Sequence, residues 1–442
     1  MSYSDVSHAA SPVVTTLEKP NTFSAGVAPA VDRQLVIEGG RILERLHAMA
    51  KIGRSPQGGI NRIAYSSADV EGRAYVIDLM RAAGLETSID AAGNILGRRE
   101  GSDSNLPTLL TGSHVDSVPE GGIYDGTVGV ISAIEIAQVL AERKLSTRHP
   151  LEVIVFQNEE EGLFGSRAIC GDLSNRDLDL PSQSGKTIGE GIEYIGGNPR
   201  ELETARRRPG AIAAYLEYHI EQGPVLENDG IDIGIVEGIV GVNRWEVTID
   251  GFSNHAGTTP MNRRKDALLV AARFIDAVNR IVRDTPGLQV GTIGRIRVLP
   301  GAPNVIPGKV ILSLDLRDLE SARIESLYDE IANAGKQIAA TVGASISFKQ
   351  TSVQVPALTD ARVRQAIAEA AVELGLTSKV LRSGAGHDAQ AIARIAPMGM
   401  IFIPSQDGIS HTPEEYSRPA DIVNGANVAL RTLLKLDALL DR

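Results

Sequence analysis

The stretch TLLTGSHVDSVPEGGIYDGTVGV, residues 108–130, ends an apolar run in a histidine and two carboxylates: His114, Asp116 and Asp125. A buried strand that finishes in such residues delivers either a hydrated acidic turn or one wall of a metal site. Divalent ions take neutral imidazole nitrogens and carboxylate oxygens, and a further partner fixes each imidazole in one tautomer. Asp116, two residues on along an extended segment, is placed to accept the proton on the other ring nitrogen of His114. The glycines around Asp125 let the backbone turn it inward, where one carboxylate can bridge two ions.

A second apolar run leads into FQNEEEGLFG, with Glu159, Glu160 and Glu161. Three neighbouring carboxylates repel one another unless cations neutralise them, which suits a two-ion site. The run also supplies a general base beside a ligand, as metal-assisted hydrolysis requires. Of the eight histidines, five (His114, His219, His255, His387 and His411) each adjoin glycine, a carboxylate or an amide at an expected element end. One histidine in that setting is more often structural; five together read as a functional pattern. His219 and His411 complete two coordination spheres. The expected sets are His114, Asp125 and His219 for one ion, and Asp125, Glu161 and His411 for the other. Two ions about 3.5–4 Å apart would share a water and acidify it. Glu160 then takes its proton and delivers it to the leaving nitrogen.

These residues need a scaffold, and the periodicity supplies one. Helical spacing runs over Asp32–Ile52 and Ser67–Ala83, the second capped by Ser66 or Ser67 and stopped by Gly84. ETSIDAAGNILGRRE reads as a hairpin. LPTLLTGS and LEVIVFQN read as buried strands, TVGVISAIEIAQVLAERK and LFGSRAICGDL as helices, and AAYLEYHIEQGP as a strand entering a loop. Strands alternating with helices predict an α/β fold with a mixed, largely parallel sheet flanked by helices. Ligands bind beyond the carboxyl ends of such strands, where His114 and the glutamate run both fall. Residues 173–209 are polar and glycine-rich and are expected as surface excursions.

From Val242 the rhythm changes to strand VNRWEVTIDG, helix Arg263–Arg283, strand VGTIGRIRVL, strand GKVILSLDLRD, helix Glu320–Thr341 and strand ASISFKQ. That β-α-β-β-α-β order predicts a ferredoxin-like α+β domain. After Val355 the α/β pattern resumes with DARVRQAIAEAAVELG and MGMIFIPS. The expected organisation is a tail over 1–34, a first catalytic part over 35–241, an inserted domain over 242–353 and a second catalytic part over 354–442.

Composition narrows the function classes. At 442 residues, 43% hydrophobic and 22% charged, the chain is long enough for more than one core. A formal charge of −11 argues against wrapping nucleic acid or docking on an anionic membrane, both of which need a basic face. Cys170 is the only cysteine, so no intrachain disulfide forms, and a reducing, cytoplasmic setting is expected. The Ser-, Thr-, Ala- and Pro-rich first 30 or so residues lack the basic start and apolar core of a signal peptide and are expected to be mobile.

The blocks TGSHVDSVPEGGIYDGTVGV, NEEEGLFGSRA, EYHIEQGPVLE, GFSNHAGTTPMNRRKDAL, PGAPNVIPG, SLDLRD, SGAGHDAQ and GISHTPEE occur in this order. Together they resemble the M20 metallopeptidase superfamily over about residues 35–440. Within it they resemble the hydantoinase/carbamoylase branch: N-carbamoyl-L-amino-acid amidohydrolases, β-ureidopropionases and allantoate amidohydrolases. HIEQGP and NHAGTTPM separate this branch from the peptidases.

The resemblance implies two divalent ions (Zn, Mn, Co or Ni), the ligands inferred above, and Glu160 as base. The family pattern has two glutamates before glycine and this chain has three, so a shifted register would make Glu159 the base. It further implies that the inserted domain closes over the substrate and mediates a homodimer. His255 would then contact the carbonyl or oxyanion, Asn304 and Arg317 the substrate carboxylate, and Gln222 the ureido group. Asp315 and Asp318, on the strand of Arg317, are its competing partners. His387 either touches substrate or orders the loop near His411. The implied reaction cleaves the carbamoyl C–N bond of an N-carbamoyl-L-amino acid to amino acid, ammonia and carbon dioxide. Allantoate and N-carbamoyl-β-alanine are alternative substrates of the same site, and a non-catalytic binding protein of the same fold is the alternative of another class.

Overall fold

The computed structural model describes residues 35–440; the expected mobile tail lies outside them. Among the described residues, fourteen strands form two sheets. In chain order they begin with β1 (Glu86–Ile89), β2 (Ile95–Arg99), β3 (Thr108–His114), β4 (Leu151–Phe156), β5 (Ile212–Ile220), β6 (Ile233–Ile239) and β7 (Gly241–Asp250). Then come β8 (Val290–Thr292), β9 (Ile296–Leu299), β10 (Lys309–Asp318), β11 (Ser345–Gln354), β12 (Ala357–Leu358), β13 (Ser378–Ser383) and β14 (Met398–Ile403).

The larger sheet runs β1-β2-β4-β3-β5-β14-β6-β12, with β13 also on β6. Its centre, β4-β3-β5-β14, is wholly parallel. β3, β4 and β14 are buried along their whole length, as continuous apolar runs covered by helices on both faces must be. The helix Thr127–Glu142 packs against this centre and is itself buried on nearly every side. All four central strands point their carboxyl ends the same way, so the loops after them converge at one edge. Antiparallel pairings flank the centre: β1 with β2, β2 with β4, and β14 with β6.

The smaller sheet is ordered β11-β7-β10-β8, with β9 continuing beside β10, and every neighbouring pair is antiparallel. Alternate residues of β10 are buried. One face thus carries Val310, Leu312, Leu314 and Leu316 onto the helices Ala267–Asp284 and Ser321–Ala340, with Phe274 and Ile331 in the shared core.

Several boundaries differ from expectation. The first helix covers only Gly39–Met49, because Glu38 takes an extended conformation at its N-cap. The single strand expected over 290–299 is split into β8 and β9 around Gly294, a residue that weakens strand interiors. The helix expected from Arg263 begins at Ala267, where Asp266 accepts from the amides of Leu268 and Leu269. Residues 173–209 are more than surface excursions: the helix Ile188–Tyr194 sends Ile188 and Ile192 into a cluster with Tyr65 and Phe164.

Candidate metal centre

The converging loops carry the chemistry. His114 is the last residue of β3, His219 the penultimate residue of β5, and Glu159 and Glu160 follow β4. Asp125 lies in the loop between β3 and the helix Thr127–Glu142, and His411 follows β14. Asn158, Leu163, Gln222 and His411 all take positive φ, between 49° and 59°. Left-handed non-glycine residues are uncommon and persist where surroundings impose them, most often at functional loops.

The donors converge on Asp125. Its Oδ1 lies 3.1 Å from His219 Nε2 and 3.5 Å from His114 Nε2, while its Oδ2 lies 3.0 Å from His411 Nε2. Ligand atoms of His114, Asp125 and His219 all fall within 4.8 Å of one another, as do those of Asp125, Glu160 and His411. Asp125 therefore belongs to both groups and offers one oxygen to each. His114 Nδ1 lies 3.0 Å from the Asp116 carbonyl and His219 Nδ1 2.9 Å from the Ile220 carbonyl. Carbonyls only accept, so both Nδ1 atoms carry the proton and both Nε2 lone pairs face a carboxylate.

Lone pair against carboxylate is repulsive until a proton or a cation comes between. The electrostatics express the same need. Burial pushes Glu159 well above the usual carboxylate range, and burial with Asp125 alongside brings Glu160 up to about 7. His411, bonded to Asp125, is raised to about 9. In His114, burial opposes the charged form, but Glu159, Asp125 and Asp116 outweigh it and raise the imidazole well above its ordinary value. The donor set, nitrogen and oxygen only, fits borderline divalent ions such as Zn²⁺, Mn²⁺, Co²⁺ or Ni²⁺.

At three positions the arrangement differs from the one expected from the sequence. Glu161 joins neither group: its carboxylate accepts from Asn158 Nδ2 at 2.8 Å and from the Gln183 amide at 2.6 Å, and Glu160 stands in the expected place of Glu161. The tight turn after β4, in which Asn158 and Leu163 are left-handed, shifts the register by one. Asp116 does not orient His114 through its carboxylate, which is 3.7 Å away; its carbonyl does so, and the carboxylate accepts from the Glu159 and Glu160 amides. His387 is buried behind His219, with its ring edge-on at 4.6 Å and its Nε2 bonded to Ser383 Oγ. Burial holds it well below the usual imidazole value, and with Glu217 and His219 it forms a third cluster whose donor atoms lie within 4.8 Å of one another.

Glu415, the last residue of GISHTPEE, carries no sequence signal that marks it as part of the site. Its buried carboxylate accepts from the amides of Tyr124 and Asp125 through one oxygen and from Ser410 Oγ and the His411 amide through the other. It thus ties both sides of the Asp125–His411 contact. Gly122 makes room, since a Cβ there would lie 2.0 Å from the Glu415 carboxylate. Gly126 does the same for His114, whose ring a Cβ would meet at 2.4 Å.

Of the expected substrate contacts, only Gln222 reaches the cluster: its Nε2 donates to Asp125 Oδ2 at 2.8 Å, and its buried Oε1 has no partner. His255 and Asn304 lie together in the smaller sheet's loops, where the Ala256 amide bonds the Asn304 carbonyl. The amides of Gly257 and Thr258 donate to His255 Nδ1, which leaves Nε2–H pointing away from that turn. Arg317 forks onto Asp315, its expected competitor, and donates to the Gly384 carbonyl.

Residues 110–435 match the description of peptidase family M20/M25/M40. An N-carbamoyl-L-amino acid amidohydrolase of Geobacillus stearothermophilus is 39% identical over 406 residues, 91% of this chain and 99% of that protein. A ureidoglycolate hydrolase of Arabidopsis thaliana is 38% identical over 415 residues, 91% of this chain and 87% of that protein. A crystal structure of a hydantoinase/carbamoylase family amidase from Burkholderia multivorans superposes with a TM-score of 0.85 at 37% identity, covering 91% of this chain and 98% of that one.

Proposed function

The chain belongs to peptidase family M20/M25/M40, and from that premise we propose that it is a two-metal amidohydrolase of ureido acids. The substrate class proposed is N-carbamoyl-L-amino acids, cleaved at the carbamoyl C–N bond to amino acid, ammonia and carbon dioxide. The observation that carries the reading is Asp125, which presents one oxygen to His114 and His219 and the other to His411. Relatives named for this chemistry support the substrate class.

His114, Asp125 and His219 would hold one ion, and Asp125, Glu160 and His411 the other. When bound, the ions supply Lewis-acid polarisation of the carbamoyl carbonyl and acidify the attacking water. Glu159 belongs to neither set, is buried beside His114 Nε2 at 3.8 Å, and has its amide fixed by Asp116. In this reading Glu159, the alternative that the third glutamate left open, takes the proton from the water and returns it to the leaving nitrogen. Gln222 offers its free Oε1 to a ureido N–H. Arg317 exchanges Asp315 for the substrate carboxylate, a bidentate partner of the same shape. Asn304 joins Arg317 on that carboxylate, and His255 donates to the developing oxyanion once the unit built on β7–β11 closes, with a second copy of the chain docked through that unit.

A second reading, a ureidoglycolate-type substrate, is favoured by the Arabidopsis relative. Ammonia release by the Mn²⁺- or Zn²⁺-loaded protein separates the two. The panel is N-carbamoyl-L-amino acids of varied side chain, N-carbamoyl-β-alanine, allantoate and ureidoglycolate, with Glu159→Gln as control. Release from carbamoyl amino acids, lost in the control, is expected. Release from ureidoglycolate alone selects the second reading, and silence on every member overturns both.

A further inference from the structure

The third glutamate of the run is free of both donor groups, and its contacts show another task. Glu161 spans two segments. One oxygen accepts from Asn158 Nδ2, on the left-handed residue that starts the loop after β4, and the other from the Gln183 amide. Gln183 sits in a small hairpin: Pro181 bridges Thr187, and the Ser182 amide bonds the Lys186 carbonyl. The Gly185 amide bonds the Ser182 carbonyl, which makes Gln183 the second residue of a four-residue turn. A second anchor holds the hairpin nearby, because Lys186 Nζ donates to the Tyr65 carbonyl and lies 4.2 Å from the Tyr194 ring. Tyr65 in turn bonds Gln157, next to Asn158.

Glu160 and Glu161 are consecutive and face opposite ways, one toward Asp125 and His411, the other toward this hairpin. We propose that Glu161 is a positioning residue: it clamps the 181–187 hairpin to the glutamate loop and thereby holds the Glu160 carboxylate on the Asp125–His411 side. The proposal rests on Glu160 being a ligand. Without the clamp, the turn is free to rotate, and an ion held by Asp125, Glu160 and His411 would lose its third donor for part of the time. Loss of a residue that orients a ligand typically weakens metal binding about 10–100-fold.

Two substitutions break the same bond from opposite ends. Glu161→Ala removes the acceptor. Gln183→Pro removes the donor N–H, along with a side chain that takes no part in the bond to Glu161, at the turn position where proline is favoured. Full-length protein stripped of metal is titrated with Zn²⁺, and amide exchange is followed over residues 181–187. Both variants are expected to bind two ions at saturation, with the weaker one bound at least about 10-fold less tightly. Hairpin amides exchange faster, and the double variant is no worse than either single one. Saturation of Glu161→Ala at one ion, with Gln183→Pro unchanged, would make Glu161 a ligand and overturn the proposal. Unchanged affinity and exchange in both variants would overturn it too. Wild-type protein that takes up no metal overturns the two-metal reading instead; faster hairpin exchange would then still establish the tether, leaving it without the role proposed.

Discussion

Replacing Glu159 by glutamine tests the division of labour among the three glutamates most sharply. The side chain is buried, and its backbone amide is bonded to Asp116, so the isosteric amide keeps the position and loses only the basic oxygen. Neither donor group includes Glu159, so Glu159→Gln is expected to keep the two ions proposed for each chain. General-base catalysis contributes about 10²–10⁴-fold, which at about 1.36 kcal/mol per decade is roughly 2.7–5.4 kcal/mol of transition-state stabilisation. The expected result is kcat lower by that factor with KM nearly unchanged, because the loss falls on the transition state alone. Glu160→Gln behaves differently. It strips the Asp125–Glu160–His411 group to two strong donors, so metal content falls toward one ion per chain and excess metal restores part of the rate. Steady-state ammonia release paired with elemental analysis reads both quantities. A Glu159→Gln variant that holds one ion while Glu160→Gln holds two would refute the register argued from the turn after β4.

Two further outcomes follow from buried carboxylates. Glu415→Ala leaves the amides of Tyr124 and Asp125 without their acceptor; at about 1–3 kcal/mol for each unpaired buried group, urea unfolding should show a loss of about 2–6 kcal/mol, and a loss under about 1 kcal/mol would mean that Glu415 ties nothing. Burial, with Glu217 nearby, pushes the Asp388 carboxyl well above the usual range, against the opposing pull of the Ser166 hydroxyl. A raised folded pKa gives stability that is complete below the unfolded value of about 3.9 and declines as pH rises toward the folded one. In metal-free protein, Asp388→Asn should therefore match wild type near pH 4 and exceed it increasingly toward pH 8. A constant difference across that range would count against a protonated Asp388.

Much of the scaffold was readable because its signals are long. β3, β4 and β14 are continuous apolar runs, the helix at Ser67 carries its own cap in Ser66, and the β7–β11 unit keeps alternating burial along β10. The histidines and Asp125 stood out because polar residues at the ends of such runs are few. What failed to show was fine geometry in turns. Whether Glu160 or Glu161 faces inward depends on left-handed residues at Asn158 and Leu163, whose side chains do not announce that conformation. Residue type points to the Asp116 carboxylate, yet its carbonyl reaches His114, a pairing that every residue type can make. Glu415 lies among ordinary polar residues, and only the folded chain shows that its oxygens meet backbone amides of a loop nearly three hundred positions earlier.

The placement of β14 has a kinetic consequence. This strand, residues 398–403, lies between β5 and β6; β5 and its other partner β3 are made long before it, while β12 and β13 reach β6 only shortly before. A ribosome must therefore release the chain through residue 403 before the larger sheet can zip shut. Until then β5 and β6 present open edges, the templates on which strands of other chains pair. Pairings of such long sequence separation also form slowly. Chaperone dependence during synthesis, and insoluble products from any truncation that removes β14, are what this topology asks for.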